Sequence, residues 1–228
     1  MRSAKSTGRI IGALLVLQLA GLMVPFILLL PLLAPPGFLE NGAMVAFQIK
    51  IAVFLFIANC ALTVGISIGA FQIFRQYSYP MALWLVALSI IMFLAQAVDN
   101  AYLLSMVSLS QEYSKTGALH PELFQLVAIA LGATRKWAHY TELLVIDGWM
   151  FMFYGLLWRS AIVPRALAAF GLLTVALHTT GITLPLWLSY QSVTLMGVPL
   201  AFSHIALALW LMVKGFRERE QASKAPAT

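Results

Sequence analysis

Charged residues are scarce in this 228-residue chain. Only 10% of its residues are Asp, Glu, Lys or Arg, whereas 61% are hydrophobic, and the mean hydropathy is +0.90. A soluble domain carries about a quarter charged residues, because its surface must stay hydrated. So few charges cannot cover a soluble globule, and the apolar surface must therefore face lipid. We predict an all-α integral membrane bundle of about six transmembrane helices over residues 1–215, with a disordered cytoplasmic tail over 216–228.

Cysteine and the motifs of soluble enzymes are also missing. Cys60 is the only cysteine, so no intramolecular disulfide can form, and its apolar neighbours indicate a packed side chain. The sequence contains no phosphate loop, dinucleotide-binding glycine pattern, nucleophile elbow or HExxH motif. A net charge of +6 would suggest nucleic acid in a soluble protein. Because the basic residues lie at the ends of apolar segments, we expect contact with a lipid bilayer and none with nucleic acid.

Turn signals divide the chain into six spans. They cover about residues 10–34, 44–74, 81–109, 135–158, 164–190 and 194–214. Pro25 and Pro31 are expected to bend or end the first span. Polar residues 110–122 form the longest predicted loop. The apolar segment 123–134 is too short to cross, so it is either an interfacial or re-entrant helix or an upstream extension of the fourth span. Gly65-x-x-x-Gly69 indicates an ordinary helix contact.

The basic residues are distributed unequally between the two sides. The N-terminal segment, residues 75–80, residues 159–165 and the tail hold ten, whereas the other side holds only Lys50, Lys115, Arg135 and Lys136. Cytoplasmic loops carry the excess of Lys and Arg. The distribution predicts a multi-pass protein of the cytoplasmic (inner) membrane with both termini in the cytoplasm. Nothing in the sequence specifies an oligomeric state.

Four stretches carry a resemblance to a known family. They are TGRIIGALL (7–15), LSQEY (109–113), WRSAIVPRALAAFG (158–171) and PLAFSHIALALWLMVKG (199–215). Together they resemble the bacterial multi-pass membrane family catalogued as domain of unknown function 4386. The resemblance implies a bacterial or archaeal six-helix protein with no assigned activity. The family pattern has Glu where this chain has His204, which argues against any role that needs a carboxylate there.

Ionisable side chains inside the spans are the candidate functional residues, because they are costly in lipid. They are Lys50, Asp99, Arg135, Lys136, His139, Glu142, Asp147, His178 and His204. Arg135, His139 and Glu142 fall within an arc of roughly 60° on one helix face, and Asp147 points about 100° or more away. We predict a polar cavity, open to the outside, that binds a ligand. Its predicted lining is Asp99, Arg135, His139, Glu142, His178 and His204.

Each of these residues alone also has a structural explanation. The Lys side chains and Arg135 can reach the headgroups, Asp99 can hydrogen-bond beside Asn100, and Asp147 and lone intramembrane histidines can join two helices. The shared depth and shared face of the predicted lining favour a common site, with Glu142 within side-chain reach of Asp99, His178 or His204.

Three functional classes remain open from the sequence. The favoured one is binding or transport of a small polar or ionic ligand. The alternatives are a structural or accessory subunit, and a metal-dependent enzyme that uses His139, Glu142, His178 and His204. A haem held between His178 and His204 is a minor further option, and no cofactor is specified.

Overall fold

The computed structural model describes residues 3–116, 119–188 and 194–217, and these residues form helices and short connections. The helices are α1 (Ala4–Leu33), α2 (Phe38–Asn41), α3 (Ala46–Phe74), α4 (Tyr79–Thr116), α5 (Pro121–Ser160), α6 (Arg165–Leu188) and α7 (Val198–Lys214), and a 3-10 turn over Thr194–Gly197 leads into α7. Among these described residues, six segments are long and apolar enough to cross a membrane, and of the described helices only the four-residue α2 is not part of one. The prediction of an all-α, six-span membrane bundle is confirmed.

The six long helices form a closed ring. Each packs against its neighbours in the order α1, α3, α4, α5, α6 and α7, and α7 returns to α1. We call the end where α1, α4 and α6 begin the basic end, and the opposite end the far end. A large apolar core fills the ring toward the basic end, with contributions such as Ile66, Leu85, Phe153 and Leu207. The ring is therefore closed by apolar packing at that end.

A second, smaller core lies toward the far end. It is built by α1, α3 and α4, with Leu32, Ile49 and Leu103 among its fully buried residues. Helix α5 adds only the partly buried Leu131. The face that α5 turns toward α4 at this end is instead polar, and it carries the candidate site.

The outer surface of the bundle is apolar where lipid would lie. On α4 the exposed apolar side chains run from Leu83 to Leu104, a length of about 33 Å along the helix axis. This length matches the hydrocarbon core of a bilayer, which is about 30 Å thick. The protein is therefore suited to a lipid environment, and the belt on α4 supplies a depth scale for the site.

The predicted long loop over 110–122 is wrong in extent. Helix α4 continues to Thr116, and α5 begins at Pro121. Ser110 is part of α4, where its hydroxyl donates to the Leu39 carbonyl at 2.8 Å and accepts from the Ala43 amide at 2.7 Å. Polar residues here extend a helix because they lie beyond the lipid belt, where water can solvate them.

Residues 123–134 are the upstream extension of the fourth span and do not form a re-entrant helix. Helix α5 is continuous over 40 residues, about 60 Å, and α4 is continuous over 38 residues, about 57 Å. Both are longer than the hydrocarbon core, so their paired ends project beyond it. The predicted end of the fifth span at Tyr190 and the tail beyond Arg217 lie outside the described residues.

Two further expectations concern the prolines of α1 and the glycines of α3. Helix α1 continues through Pro25 and ends at Leu33, so Pro25 does not end it. The Gly65-x-x-x-Gly69 pattern makes no close contact, since a Cβ at either glycine would have no other group within 4 Å. The close approach is at Gly8 and Gly12 instead. A Cβ at Gly12 would lie 2.7 Å from the Ala208 carbonyl oxygen, so α1 and α7 touch through their backbones.

Candidate functional site

Four of the six predicted site residues meet between α4 and α5. Arg135, His139 and Glu142 are three and four residues apart, so they share the face of α5 that packs against α4, and Asp99 faces them from α4. Arg135 Nη2 donates to Asp99 Oδ2 at 3.3 Å, and Arg135 Nε lies 3.1 Å from Asp99 Oδ1. We call these four residues the α4–α5 cluster.

The imidazole of His139 joins the two carboxylates of the cluster. Its Nδ1 lies 3.4 Å from Glu142 Oε2 and 3.8 Å from Asp99 Oδ2. One ligand atom each from Asp99, His139 and Glu142 falls within 4.8 Å of the others. Glu142 is therefore within side-chain reach of Asp99, as the spacing on α5 predicts.

Burial differs sharply within the cluster. The Asp99 and Glu142 side chains are 2% and 5% exposed, and Arg135 is 12% exposed. His139 is 38% exposed, so it forms the rim. The Arg135 Nε–Asp99 Oδ1 contact does not have the geometry of a hydrogen bond. Within the described part of the chain, neither atom has another hydrogen-bond partner. The cluster thus holds buried acidic oxygens behind one accessible imidazole.

The depth of the cluster follows from the belt on α4. Asp99 lies about 8 Å from the middle of the Leu83–Leu104 segment, on the side of the far end. Charges at such a depth cost several kcal/mol unless they are paired or reached by water. The Arg135 guanidinium satisfies part of this requirement for Asp99. Among the described residues, Glu142 makes no ion pair with Lys or Arg within 4.0 Å, and its nearest such contact is the His139 imidazole.

His178 does not join the α4–α5 cluster. Its Nδ1 lies 2.7 Å from Asp147 Oδ1, and the Thr179 hydroxyl donates to Asp147 Oδ2 at 2.8 Å. Asp147 follows Glu142 by five residues, so it points about 140° away around α5 and faces α6. A groove of about 460 Å³ opens between α5 and α6, with Asp147 and Thr179 as its polar lining. Helix α5 therefore carries two polar clusters on different faces.

His204 lies apart from both clusters. It is buried on α7, which packs mainly against α1 and α6. Its Nδ1 has no hydrogen-bond partner among the described residues, whereas the neighbouring Ser203 hydroxyl lies 2.9 Å from the Thr174 hydroxyl. The metal set suggested by the sequence is not assembled as a group. Of that set only His139 and Glu142 lie close together, and the third metal-capable side chain beside them is Asp99.

The structure also shows contacts that sequence reasoning missed. The sequence indicates a packing role for Asp147 but does not reveal its partners, His178 and Thr179. The indole N–H of Trp149 donates to the Ser67 hydroxyl at 2.8 Å, which explains a tryptophan in the middle of a span. In the sequence, the Asp147 contacts and the Trp149–Ser67 hydrogen bond were indicated only by uncharged polar residues of the spans, Thr179 and Ser67. Such residues are too common in membrane helices to stand out without the helix rotations.

Lys50 and Lys136 are exposed and stay outside the cluster, in agreement with a headgroup role. The ammonium of Lys136 lies 5.9 Å from the ring centroids of both Trp137 and Tyr140. Asn100 turns away from Asp99, accepting from Gln96 at 3.2 Å and donating to the Val53 carbonyl at 3.4 Å. Asn100 therefore joins α4 to α3, whereas Asp99 joins α4 to α5.

Comparison with known families now places the chain. The sequence profile of the family described as Domain of unknown function (DUF4386) matches residues 10–215. The chain belongs to this family. The DUF4386 match covers the α4–α5 cluster together with His178 and His204, so these residues lie inside the family domain. No curated protein and no solved structure matches the chain.

Proposed function

We propose that this protein binds, and carries across the membrane, a small ionic ligand that reaches the α4–α5 cluster from the outside. The observation that carries the proposal is the convergence of Asp99, His139 and Glu142 within 4.8 Å at a depth inside the lipid belt. Holding two carboxylates together in such surroundings is expensive. Helix packing alone does not require a second carboxylate beside one that Arg135 already neutralises.

The charge of the cluster favours a cation. With both carboxylates ionised, Asp99 and Glu142 supply two negative charges, and Arg135 supplies one positive charge. The imidazole of His139 is counted as uncharged. The sum leaves one negative charge among side chains that are almost fully buried. This net negative charge attracts a cation, whereas it repels an anion.

The direction of access follows from the proposed topology. The excess of basic residues in the N-terminal segment, residues 75–80, residues 159–165 and the tail favours the cytoplasm for these segments, which would put both termini inside and the far end outside. The large apolar core occupies the basic end of the ring, and the cluster lies toward the far end. His139 is the most exposed member of the cluster, so its imidazole is the side chain most open to contact with a solute. The proposed setting is a bacterial cytoplasmic membrane.

A structural or accessory role is the competing function, and one observation favours it. The Arg135–Asp99 ion pair joins α4 to α5, as the Trp149–Ser67 bond joins α5 to α3. Polar contacts of this kind can serve helix packing without any ligand. That role predicts a dry cluster, whereas ligand binding requires access from water.

Chemical accessibility separates the two functions. In a Cys60→Ser background, the thiol of a His139→Cys variant should react in whole cells with a membrane-impermeant maleimide added outside. Ser203 is fully buried on α7, so the thiol of a Ser203→Cys variant should stay unlabelled in intact protein and react only after denaturation. A His139→Cys variant as unreactive as the Ser203→Cys variant would favour the packing role and contradict the proposed function.

A further inference from the structure

We propose that the ligand of the α4–α5 cluster is a divalent first-row transition metal ion, of the class of zinc, iron(II) or manganese, held by Asp99, His139 and Glu142. This proposal rests on the proposed cation-binding function and names its ligand class. Within the described part of the chain, this is the one group of three metal-capable side chains whose ligand atoms converge.

The distances between the ligand atoms suit such an ion. Two ligands bound at about 2.0–2.1 Å in a tetrahedral site lie about 3.4 Å apart. His139 Nδ1 is 3.4 Å from Glu142 Oε2 and 3.8 Å from Asp99 Oδ2. One ligand atom from each of the three residues lies within 4.8 Å of the others, so a rotamer adjustment of about 1.4 Å or less brings the third pair to the tetrahedral spacing.

The donor types narrow the choice of ion. One imidazole nitrogen and two carboxylate oxygens form a set that zinc, iron(II) and manganese accept. Calcium prefers six to eight oxygen ligands, and magnesium keeps an octahedral oxygen shell, so neither is favoured by an imidazole. Three protein ligands leave at least one position for water or an exchangeable ligand, as in catalytic metal sites and unlike closed structural sites.

Arg135 acts as a positioning residue for this site. Its guanidinium contacts both oxygens of Asp99, with Nε 3.1 Å from Oδ1 and Nη2 donating to Oδ2 at 3.3 Å, and Oδ2 also lies 3.8 Å from His139 Nδ1. Groups that orient a ligating carboxylate tune metal affinity by about 10-fold to 100-fold. Arg135 also offsets one of the two negative charges, which limits the charge that the cluster must hold without the ion.

The polar cluster on the other face of α5 does not offer an equivalent set. Asp147 supplies one carboxylate, which already accepts from Thr179 and contacts His178. A third metal-capable side chain is not grouped with them among the described residues. His178→Gln is therefore expected to leave metal affinity unchanged, and it serves as an internal control for histidine loss within the membrane.

Metal affinity is measured on purified full-length protein in detergent, by titration with zinc and with cobalt(II). Glu142→Gln and His139→Gln should each weaken zinc binding by about 100-fold. The matched controls Glu122→Gln and His120→Gln change the same residue types at exposed positions by the start of α5 and should bind as the unchanged protein does. Equal zinc affinities in the unchanged protein, the two site variants and the two controls would overturn the proposal. An unchanged protein that binds no zinc would also overturn it.

A direct readout of ligation guards against variants that lose metal because they misfold. In the Cys60→Ser background, His139→Cys replaces one ligand by a thiolate, so bound cobalt(II) should show a sulfur-to-metal charge-transfer band. The His120→Cys control should not show this band. A monodisperse His139→Cys protein without the band would overturn the metal site. If that protein still reacts with external maleimide, the site is accessible from water, and the proposed metal ligand is wrong while the proposed access from outside stands.

Discussion

Asp99 and Arg135 lie on different helices, and each keeps the charge of the other paired within the lipid belt. Removing one partner of a buried pair costs about 3–5 kcal/mol, because the other charge remains buried. We therefore expect Asp99→Asn to lower the free energy of unfolding by about 3 kcal/mol. The double variant Asp99→Asn/Arg135→Gln should recover at least half of that loss, since it leaves no unpaired guanidinium.

The measurement is equilibrium unfolding of the purified protein in mixed micelles. The control is Glu112→Gln, which breaks the exposed Glu112–Lys115 pair of 2.9 Å and should change the free energy of unfolding by about 0.5 kcal/mol or less. A double variant that is less stable than Asp99→Asn would show that the pair does not act as a unit.

Ser67 and Trp149 provide a test of a neutral buried contact. Ser67→Ala removes the acceptor of the indole N–H, and both side chains are fully buried. An unsatisfied buried donor costs about 1–3 kcal/mol, so we expect a loss of about 2 kcal/mol in the free energy of unfolding. The control Ser108→Ala removes a hydroxyl that bonds only to its own helix, at the exposed Leu104 carbonyl, and should be near neutral. Equal effects of the two substitutions would contradict this role of Ser67.

At the scale of elements, two Gly-x-x-x-Gly patterns allow a matched comparison. Gly12→Ala would set a Cβ 2.7 Å from the Ala208 carbonyl oxygen and 2.7 Å from the Met212 amide nitrogen, so α1 and α7 must separate. We expect a loss of about 1–3 kcal/mol in the free energy of unfolding. Gly65→Ala meets nothing within 4 Å and should be neutral or stabilising by up to about 1 kcal/mol. Thermal unfolding of the two variants side by side decides the matter. The opposite order would place the helix contact at Gly65.

Helix α5 shows which features of the site can be predicted from the sequence. The spacing of Arg135, His139 and Glu142 predicts one polar face, and their depth relative to Asp99 predicts that the four residues meet. The partner of His178 is not predictable, because it depends on the rotation of α6, which the apolar sequence of that helix does not specify. The predicted extent of α4 and α5 is wrong for a related reason. Polar residues such as Glu112 and Lys115 are typical of loops, yet they also extend a helix into water.

At the scale of the whole molecule, the six spans are predictable because apolar segments of this length have few alternatives in a chain so poor in charge. The closed order of the ring and the separation of His204 from the cluster are not predictable. Both depend on which helices pack side by side, and the similar apolar composition of the spans leaves that choice open. The sequence therefore predicts the membrane architecture well and the candidate site in part.

The orientation of the molecule in the membrane is predicted from its basic residues, and a reporter fusion and a labelling experiment test it. A reporter that is active only in the cytoplasm should be active when fused after Lys224. Ser114 is exposed on the projecting end of α4, so a Ser114→Cys variant in the Cys60→Ser background should react with an impermeant maleimide from outside. An active periplasm-only reporter at Lys224, together with an unreactive Ser114→Cys variant, would reverse the orientation.

The central claim is that the α4–α5 cluster is a water-accessible site that favours cations. The most direct test is the reaction rate of the His139→Cys thiol, in the Cys60→Ser background, with two methanethiosulfonate reagents of similar size, one cationic and one anionic. After each rate is divided by the rate of the same reagent with the Ser114→Cys variant, the cationic reagent should react about 10-fold faster than the anionic one, because Asp99 and Glu142 attract it. Glu142→Gln should reduce this ratio of cationic to anionic rates. Faster reaction with the anionic reagent, or rates at position 139 that Glu142→Gln leaves unchanged, would contradict the claim.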